Sequence, residues 1–327
     1  MMKKVLCTAM SVSLVLLLVA SGSALADETV TETGKETSEG TVEPKGSYTI
    51  AFAASTLSNE FFVTMLDAAQ EYADQKGVTL VYSDAEDDAE KMNDQVQDFI
   101  TQDVDLIILN PVDSDAIGSA TKACNDADIP VITVTRPSNS GEVVQHLDID
   151  NLQVGLLDAE QMIKDCGKEG KIATLEGIAG TPSANDRQQG FADYIKENSD
   201  LEIVADLTAN YNREEGATVT EDILQGNPDI IGIFAANDEM ALGAVSAVKA
   251  AGLIDQIKIY GCDATNDALT AIANGEMAAT VKQQPDLQIR KAIDSAITYL
   301  NGDTVEPIVY IDLKLITPDN VQEELSE

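Results

Sequence analysis

From residue 47 onward, short apolar runs rich in β-branched residues alternate with longer stretches whose apolar positions recur at helical spacing. Such alternation is typical of βαβ units and parallel sheets. The predicted strands form two series, 48–53, 78–82, 104–109 and 130–135, then 171–175, 202–207, 230–234, 257–260 and 278–282. Amphipathic stretches such as 61–75, 89–101 and 240–250 predict helices between them. Because the series restarts around 143–151, we place a crossover between two α/β lobes there.

The first 46 residues do not follow this pattern. Lys3 and Lys4 precede an apolar run over residues 5–20, and Ala24-Leu25-Ala26 follows, which predicts a signal peptide over residues 1–26. An uncleaved membrane anchor is the alternative. Residues 27–46 are rich in Thr, Glu and Gly and predict a disordered acidic leader. No Cys follows the apolar run at a position suited to lipid attachment, so we expect a periplasmic or extracellular protein.

The composition excludes several classes of function. The 327 residues carry 57 acidic and 20 basic side chains, a formal charge of −37, which disfavours nucleic acid and anionic membranes as partners. Only one His is present, and no P-loop, GxGxxG after the first strand, GxSxG or HExxH occurs, so we predict no catalytic residue, metal or cofactor. Cleavage of the signal would leave no CxxC and three Cys, which are Cys124, Cys166 and Cys262, so one disulfide at most could form and buried free thiols are favoured.

Polar residues follow the predicted strands in both halves of the chain. Ligands of open α/β sheets bind beyond the carboxyl ends of the strands, so these positions are the candidate binding residues. The same residue types also cap the helix that follows a strand, and this alternative stays open for each of them. The positions include Ser55, Thr56, Ser58, Asn59, Asn110, Asp113, Ser114, Thr135, Arg136, Asn185, Tyr211, Asn237, Asp238 and Asp263.

Five longer segments together carry a family resemblance. They are STLSNEFF at 55–62, NPVDSDA at 110–116, GIAGT at 177–181, NDEMALGA at 237–244 and DLKL at 312–315. On these segments the chain resembles the periplasmic sugar-binding proteins of ABC transporters, in the ribose-binding branch of the type I periplasmic binding proteins. The resemblance implies two Rossmann-like lobes with parallel sheets, joined by a three-segment hinge. It places one lobe at 47–149 and 284–309, and the other at 150–283 and 310–327.

The resemblance also implies a set of ligand-binding residues. Asn59 matches a hydroxyl-binding Asn, and Phe61 and Phe62 match aromatic faces against the sugar ring. Arg136 matches an Arg that binds two oxygens at once. In the second lobe, Asn237, Asp263 and Gln283 match polar ligand contacts. Taken alone, two adjacent Phe at a helix start more often belong to a core. The alternatives for the other residues are a surface ion pair for Arg136, a helix cap for Asp263 and a hinge amide for Gln283.

Four positions depart from the pattern of ribose binders, and one of them is Cys262, which precedes Asp263 where an aromatic residue is common. Thr135 stands where those proteins carry Asp, Asn185 stands where they carry a second Arg, and Tyr211 stands where Phe is usual. Arg187, two residues beyond Asn185, is expected on another face of its helix unless the loop before that helix is shifted. Compared with ribose binders, the predicted site therefore lacks one acidic and one basic side chain. Arg136 and Asp263 remain as a pair of opposite charges, which predicts a neutral monosaccharide or polyol as the ligand. Ribose itself is disfavoured, because two of its hydroxyl partners are missing.

The sequence therefore predicts a monomeric, non-catalytic solute-binding protein that closes on its ligand and delivers it to an ABC importer permease. A secreted sugar-processing enzyme is the main alternative. A sugar receptor that feeds a chemoreceptor or a sensor kinase is the second alternative.

Overall fold

The computed structural model describes residues 42–326, so the predicted signal peptide and residues 27–41 of the predicted leader lie outside it. The last five residues of that leader, 42–46, are hydrogen-bonded to the rest of the protein, although the sequence predicts disorder there. Lys76 Nζ donates to the Val42 carbonyl over 2.7 Å, and Asn301 Nδ2 donates to the Glu43 carbonyl over 2.9 Å. These bonds attach the segment to the body. Within the described residues, no helix is both long and apolar enough to cross a bilayer.

Two six-stranded sheets form the centres of two lobes. The first sheet has the order β2-β1-β3-β4-β5-β11 and is parallel throughout. Its strands are β1 (Thr49–Ala54), β2 (Thr79–Asp84), β3 (Leu106–Leu109), β4 (Val131–Val134), β5 (Gln145–Asp148) and β11 (Ile308–Tyr310).

The second sheet has the order β7-β6-β8-β9-β10-β12, with only β12 antiparallel to its neighbour. Its strands are β6 (Glu169–Glu176), β7 (Asp200–Thr208), β8 (Ile230–Ala235), β9 (Lys258–Asp263), β10 (Ala279–Lys282) and β12 (Lys314–Ile316). The prediction of two α/β lobes with parallel sheets is confirmed. The direction of β12 follows from its connection, because the chain leaves β11 and enters the second sheet only a few residues later.

Helices cover the faces of both sheets. They are α1 (Glu60–Lys76), α2 (Ala89–Thr101), α3 (Gly118–Asp126), α4 (Asn151–Cys166), α5 (Pro182–Asn198), α6 (Arg213–Gly226), α7 (Asp238–Ala250), α8 (Asn266–Ala273), α9 (Pro285–Leu300) and α10 (Val321–Glu324). Alternate residues of β1 point to opposite faces. Ile50 and Phe52 pack in the core formed with α1 and α9, and Ala51 and Ala53 pack in the core formed with α2 and α3.

Three segments connect the two sheets. They run from β5 to α4, from β10 to α9 and from β11 to β12. The first of them lies within the predicted crossover region 143–151, where the structure also contains the unpredicted strand β5. Cys124 and Cys262 are buried free thiols, and Cys166 is a half-buried one.

Candidate functional site

A cavity lies where the carboxyl ends of strands from both sheets face each other. In the first sheet β1 has β2 on one side and β3 on the other, and in the second sheet β6 lies likewise between β7 and β8. Ligands bind at such reversals of strand order in open α/β sheets. The residues contributed by the first lobe, here called the first wall, are Thr56, Ser58, Asn59, Phe61, Phe62, Asp87, Thr135 and Arg136. The second wall consists of Ile178, Ser183, Arg187, Asn210, Tyr211, Asn212, Asn237, Asp263 and Gln283.

Asn59 is both a helix cap and a lining residue. Its Oδ1 accepts a hydrogen bond from the Phe61 backbone N–H over 2.9 Å and begins α1, which leaves the amide NH₂ group for the cavity. Phe61 and Phe62 are buried, with their rings edge to face at 5.1 Å between centroids. Both rings belong to the core around α1 and also line the cavity. Phe61 and Phe62 are therefore core residues that also border the cavity, and their contact with a ligand stays a prediction.

Thr135 and Arg136 follow β4 and are both buried. Thr135 has a φ of 67°, which a β-branched residue rarely adopts, and its hydroxyl donates to Gln288 Oε1 over 3.2 Å. Arg136 Nη1 donates to the carbonyls of Pro111 and Val112 over 3.0 and 3.2 Å. The surface ion pair considered for Arg136 is absent from the described residues, and its guanidinium lines the first wall.

Asn185 is not part of the cavity. It is exposed on α5, and Arg187 takes the inward place instead, 3% exposed. Thr181 caps α5, so Ser183 and Arg187, four residues apart, lie on the same helix face. Arg187 Nε donates to Asn151 Oδ1 over 2.9 Å, and its Nη1 donates to the Ala236 carbonyl over 2.7 Å. The predicted orientation of Arg187 is therefore wrong, and the second wall does contain an Arg.

Tyr211 extends its ring across the second wall and shares a hydrogen bond of 2.9 Å with the Ser183 hydroxyl. The backbone at Asn210 and Tyr211 is left-handed, with φ of 51° and 58°. Gly177 makes room for the ring, because a Cβ on Gly177 would come within 2.1 Å of the Tyr211 ring. The position of Tyr211 thus depends on a glycine in the preceding loop of the same wall.

Asn237, Asp263 and Gln283 are buried and line the cavity together. Asn237 caps α7 through its Oδ1, which accepts from Met240 N over 3.0 Å. Asp263 is not a helix cap, since Thr265 caps α8. Gln283 instead donates its amide to Asp263 Oδ1. Burial, and then the nearby Asp238 carboxyl, raises the pKa of Asp263 well above its usual range, while Arg187 and Gln283 act in the opposite direction.

Two charged lining residues, Arg187 and Asp87, are not placed in the site by the sequence pattern. Arg187 would have been found from helix phase once the α5 cap at Thr181 was recognised, because the cap fixes which residues turn inward. Asp87 gave no sequence signal, since it follows β2 in a left-handed conformation that no periodicity predicts. The cavity lining therefore contains two Arg and two Asp rather than one of each.

The comparisons with known proteins agree with this geometry. Residues 50–304 match the family model of the periplasmic binding protein domain. The ribose import binding protein RbsB of Escherichia coli (strain K12) is 39% identical over 268 residues, which are 82% of this chain and 90% of that protein. The protein of the same name from Bacillus subtilis (strain 168) is 37% identical, over 84% of this chain and 88% of that one.

Solved structures show the same architecture. A periplasmic solute-binding protein of Actinobacillus succinogenes 130z with bound D-allose superimposes with a TM-score of 0.81 at 34% identity, over 85% of this chain and 100% of that one. A solute-binding protein of Bacillus halodurans C-125 with bound myo-inositol gives the same TM-score and identity, over 86% of this chain and 98% of that one. The chain belongs to the periplasmic sugar-binding proteins of ABC transporters, within the ribose-binding branch of the type I periplasmic binding proteins.

Proposed function

We propose that this protein is a non-catalytic extracytoplasmic solute-binding protein, which captures a neutral monosaccharide or polyol between its lobes and delivers it to an ABC importer permease. The observation that carries the proposal is the composition of the cavity, which combines aromatic rings with polar groups from both lobes. Sugar C–H faces are apolar and suit aromatic rings, while hydroxyls need oriented donors and acceptors. The relatives bind ligands of this class, since those named above are described with ribose, D-allose and myo-inositol.

The mechanism we propose is closure of the two lobes on the ligand. Residues of both walls bond the ligand only when the lobes are close, so the ligand binds the closed state more tightly and increases its population. The sheet membership of the strands supports the proposed lobes, 47–149 with 284–309 and 150–283 with 310–327. Their closed form would present the surface that a permease recognises.

The ligand is proposed only by class. Two departures from the ribose binders disfavoured ribose as the ligand. The argument from Asn185 is withdrawn, because Arg187 supplies a guanidinium to the cavity. The argument from Thr135 remains, and the Thr135 hydroxyl donates a hydrogen bond to Gln288 within the protein. Ribose therefore belongs in the same screen as other pentoses, hexoses and inositols.

The test is titration calorimetry of the purified protein against such a panel, preceded by a thermal-shift screen, since a ligand of the folded state raises the melting temperature. We expect Arg136→Ala and Asp263→Ala each to weaken binding at least about tenfold, which is about 1.4 kcal/mol. Truncating either residue leaves buried polar groups of the ligand without partners.

Arg213→Ala is the matched control, because Arg213 pairs with Glu239 and Asp267 outside the cavity. Circular dichroism checks that each variant folds. Wild-type affinity in the Arg136 and Asp263 variants would contradict the site, and conversion of a bound sugar to product on long incubation would support the enzyme alternative instead.

A further inference from the structure

The loop after β2 places a carboxylate in the first wall. Glu86 and Asp87 both have left-handed backbone conformations, with φ of 53° and 61°. Backbone hydrogen bonds from Ala85 N to the Ala54 carbonyl over 3.1 Å, and from Asp87 N to the Ser55 carbonyl over 2.9 Å, hold the loop against the end of β1. Such conformations persist only where the surroundings fix them. Asp87 therefore has a fixed place on the cavity lining while its side chain keeps access to solvent.

Arg136 is the charged neighbour of Asp87 on the same wall. It is 5% exposed, its Nη1 donates to two carbonyls, and its buried Nε has no hydrogen-bond partner among the described residues. Burial lowers the pKa of Arg136, the carboxylates of Asp87 and Asp148 oppose that effect, and the positive charge of Arg187 adds to it. Burial raises the pKa of Asp87, and the Thr56 hydroxyl and the Arg136 charge oppose that effect. Arg136 and Asp87 thus compensate each other electrostatically without a direct ion pair.

The second wall repeats this arrangement with Arg187 and Asp263. The lining contains four ionisable side chains, Arg136, Arg187, Asp87 and Asp263, whose formal charges cancel when all four are ionised. Without Asp87, the lining would carry one excess positive charge, and a buried uncompensated charge is costly unless the ligand supplies its partner. A cavity without Asp87 would therefore suit an anion, and the cavity with Asp87 suits an uncharged ligand.

We propose that Asp87 contacts the ligand and determines the charge selectivity of the cavity. Its carboxylate accepts a hydrogen bond from a hydroxyl of an uncharged polyhydroxylated ligand. Its negative charge beside Arg136 disfavours the binding of carboxylate and phosphate analogues of that ligand. This inference rests on the proposed function, because it concerns the ligand class of the same cavity.

The test compares Asp87→Asn with Glu86→Gln. Asn has nearly the size of Asp and tolerates the left-handed conformation, so the change removes the charge and little else. Glu86 is the adjacent residue of the same loop, is exposed and does not line the cavity, so Glu86→Gln removes the same charge outside the site. Titrations use D-ribose, D-allose, D-glucose and myo-inositol as neutral probes, and D-ribonate, D-glucuronate and D-glucose 6-phosphate as anionic probes.

In Asp87→Asn we expect the affinity for the best neutral probe to fall at least fivefold, and the ratio of anionic to neutral affinity to rise at least tenfold. Glu86→Gln should stay within twofold of the wild type on both measures. Unchanged neutral affinity with continued rejection of the anions, or equal losses in both variants, would overturn the role of Asp87. Asp87→Gly, which suits the same φ, repeats the test without a side chain.

The two proposals fail in different ways. If the wild-type protein binds none of the neutral probes, the proposed function fails. The role of Asp87 is then decided by the anionic probes alone, because binding that appears in Asp87→Asn and not in Glu86→Gln supports it, and absence of such binding overturns it.

Discussion

Behind the second wall, the protein buries two further carboxyl groups beside Asp263. Asp238 is hydrogen-bonded, since its oxygens accept from Thr280 Oγ1 over 2.7 Å and from Thr265 N over 2.9 Å. Asp158 is fully buried, and neither of its oxygens has a hydrogen-bond partner within the described chain. Burial raises the pKa of Asp238 to about 6 and raises the pKa of Asp158 well above its usual range. Such groups cost folding free energy whenever they are ionised.

Asp158→Asn should therefore stabilise the protein in a pH-dependent way. An Asp of the unfolded chain loses its proton near pH 4, whereas folded Asp158 keeps its proton to a higher pH. As the pH rises above about 4, the wild type loses stability relative to the variant, until the folded carboxyl is ionised too. We expect a difference of at least about 1 kcal/mol in the free energy of unfolding at pH 8, and almost none at pH 4.

Urea denaturation at a series of pH values measures this difference. Glu160→Gln, on the exposed side of the same helix, is the control and should show no such dependence. A variant of Asp158 that is less stable than the wild type at pH 8 would contradict the prediction, and would indicate that the carboxylate is needed beside Arg187.

At the scale of elements, reciprocal glycines bring two helix pairs of the second lobe into close contact. A Cβ on Gly155 of α4 would lie 2.0 Å from the Arg187 carbonyl of α5, and a Cβ on Gly190 of α5 would lie 2.1 Å from the Leu152 carbonyl of α4. The pair α6 and α7 has the same arrangement at Gly216 and Gly243. Because Arg187 also donates to Asn151 at the start of α4, the contact between α4 and α5 fixes where its guanidinium enters the cavity.

Gly155→Ala should disturb stability and binding together. The added methyl meets backbone atoms of α5, which cannot rotate away as a side chain can, so α5 must move. We expect a loss of about 2 kcal/mol or more in unfolding free energy, and weaker ligand binding through displaced Arg187. Urea denaturation and calorimetry measure the two effects.

Gly226→Ala is the opposite case and the control. Gly226 ends α6 with open space around its Cβ position, so Ala there should leave binding unchanged and stability equal or slightly higher. If Gly155→Ala behaved like Gly226→Ala, the close approach of α4 and α5 would not be needed.

The elements also show what sequence can and cannot predict here. Apolar β-branched runs such as Ile230–Ala235 were located within one residue of their ends, because burial on both sheet faces imposes that composition. Strand β5 was missed because its residues, Gln-His-Leu-Asp, are mostly polar and carry no alternation. In the site, most lining positions followed from strand ends and the family resemblance. The orientation of Arg187 could not be predicted in this way, because it depends on the phase of helix α5. The position of Asp87 could not be predicted either, because it depends on the conformation of the loop after β2.

At the scale of the whole molecule, the lobes touch outside the cavity as well as through the hinge. Glu60 Oε1 of α1 accepts hydrogen bonds from Asn266 of α8, over 2.9 Å from the side-chain amide and 3.3 Å from the backbone N–H. Neither residue lines the cavity. Because this contact joins elements of different lobes and touches no ligand, we expect it to stabilise the closed arrangement proposed above.

Glu60→Ala should weaken ligand binding only by making the closed state less stable, because Glu60 does not line the cavity. Losing about 1 kcal/mol from the closed form corresponds to about fivefold weaker affinity. Calorimetry measures the affinity, and small-angle scattering should show a more open ligand-free protein. Glu71→Ala is the control, since Glu71 lies on the same helix and pairs with Arg290 of the same lobe. Equal affinities in both variants would contradict a contribution of this contact to closure.

The attachment of residues 42–46 sets where the upstream chain joins the body. This segment is bonded to Lys76 at the end of α1 and to Asn301 just after α9, beside the start of β1. In a parallel α/β lobe, that is the pole opposite the carboxyl ends of the strands. A tether, a surface anchor or a fluorescent label placed upstream of Val42 therefore joins the protein on the side remote from the cavity.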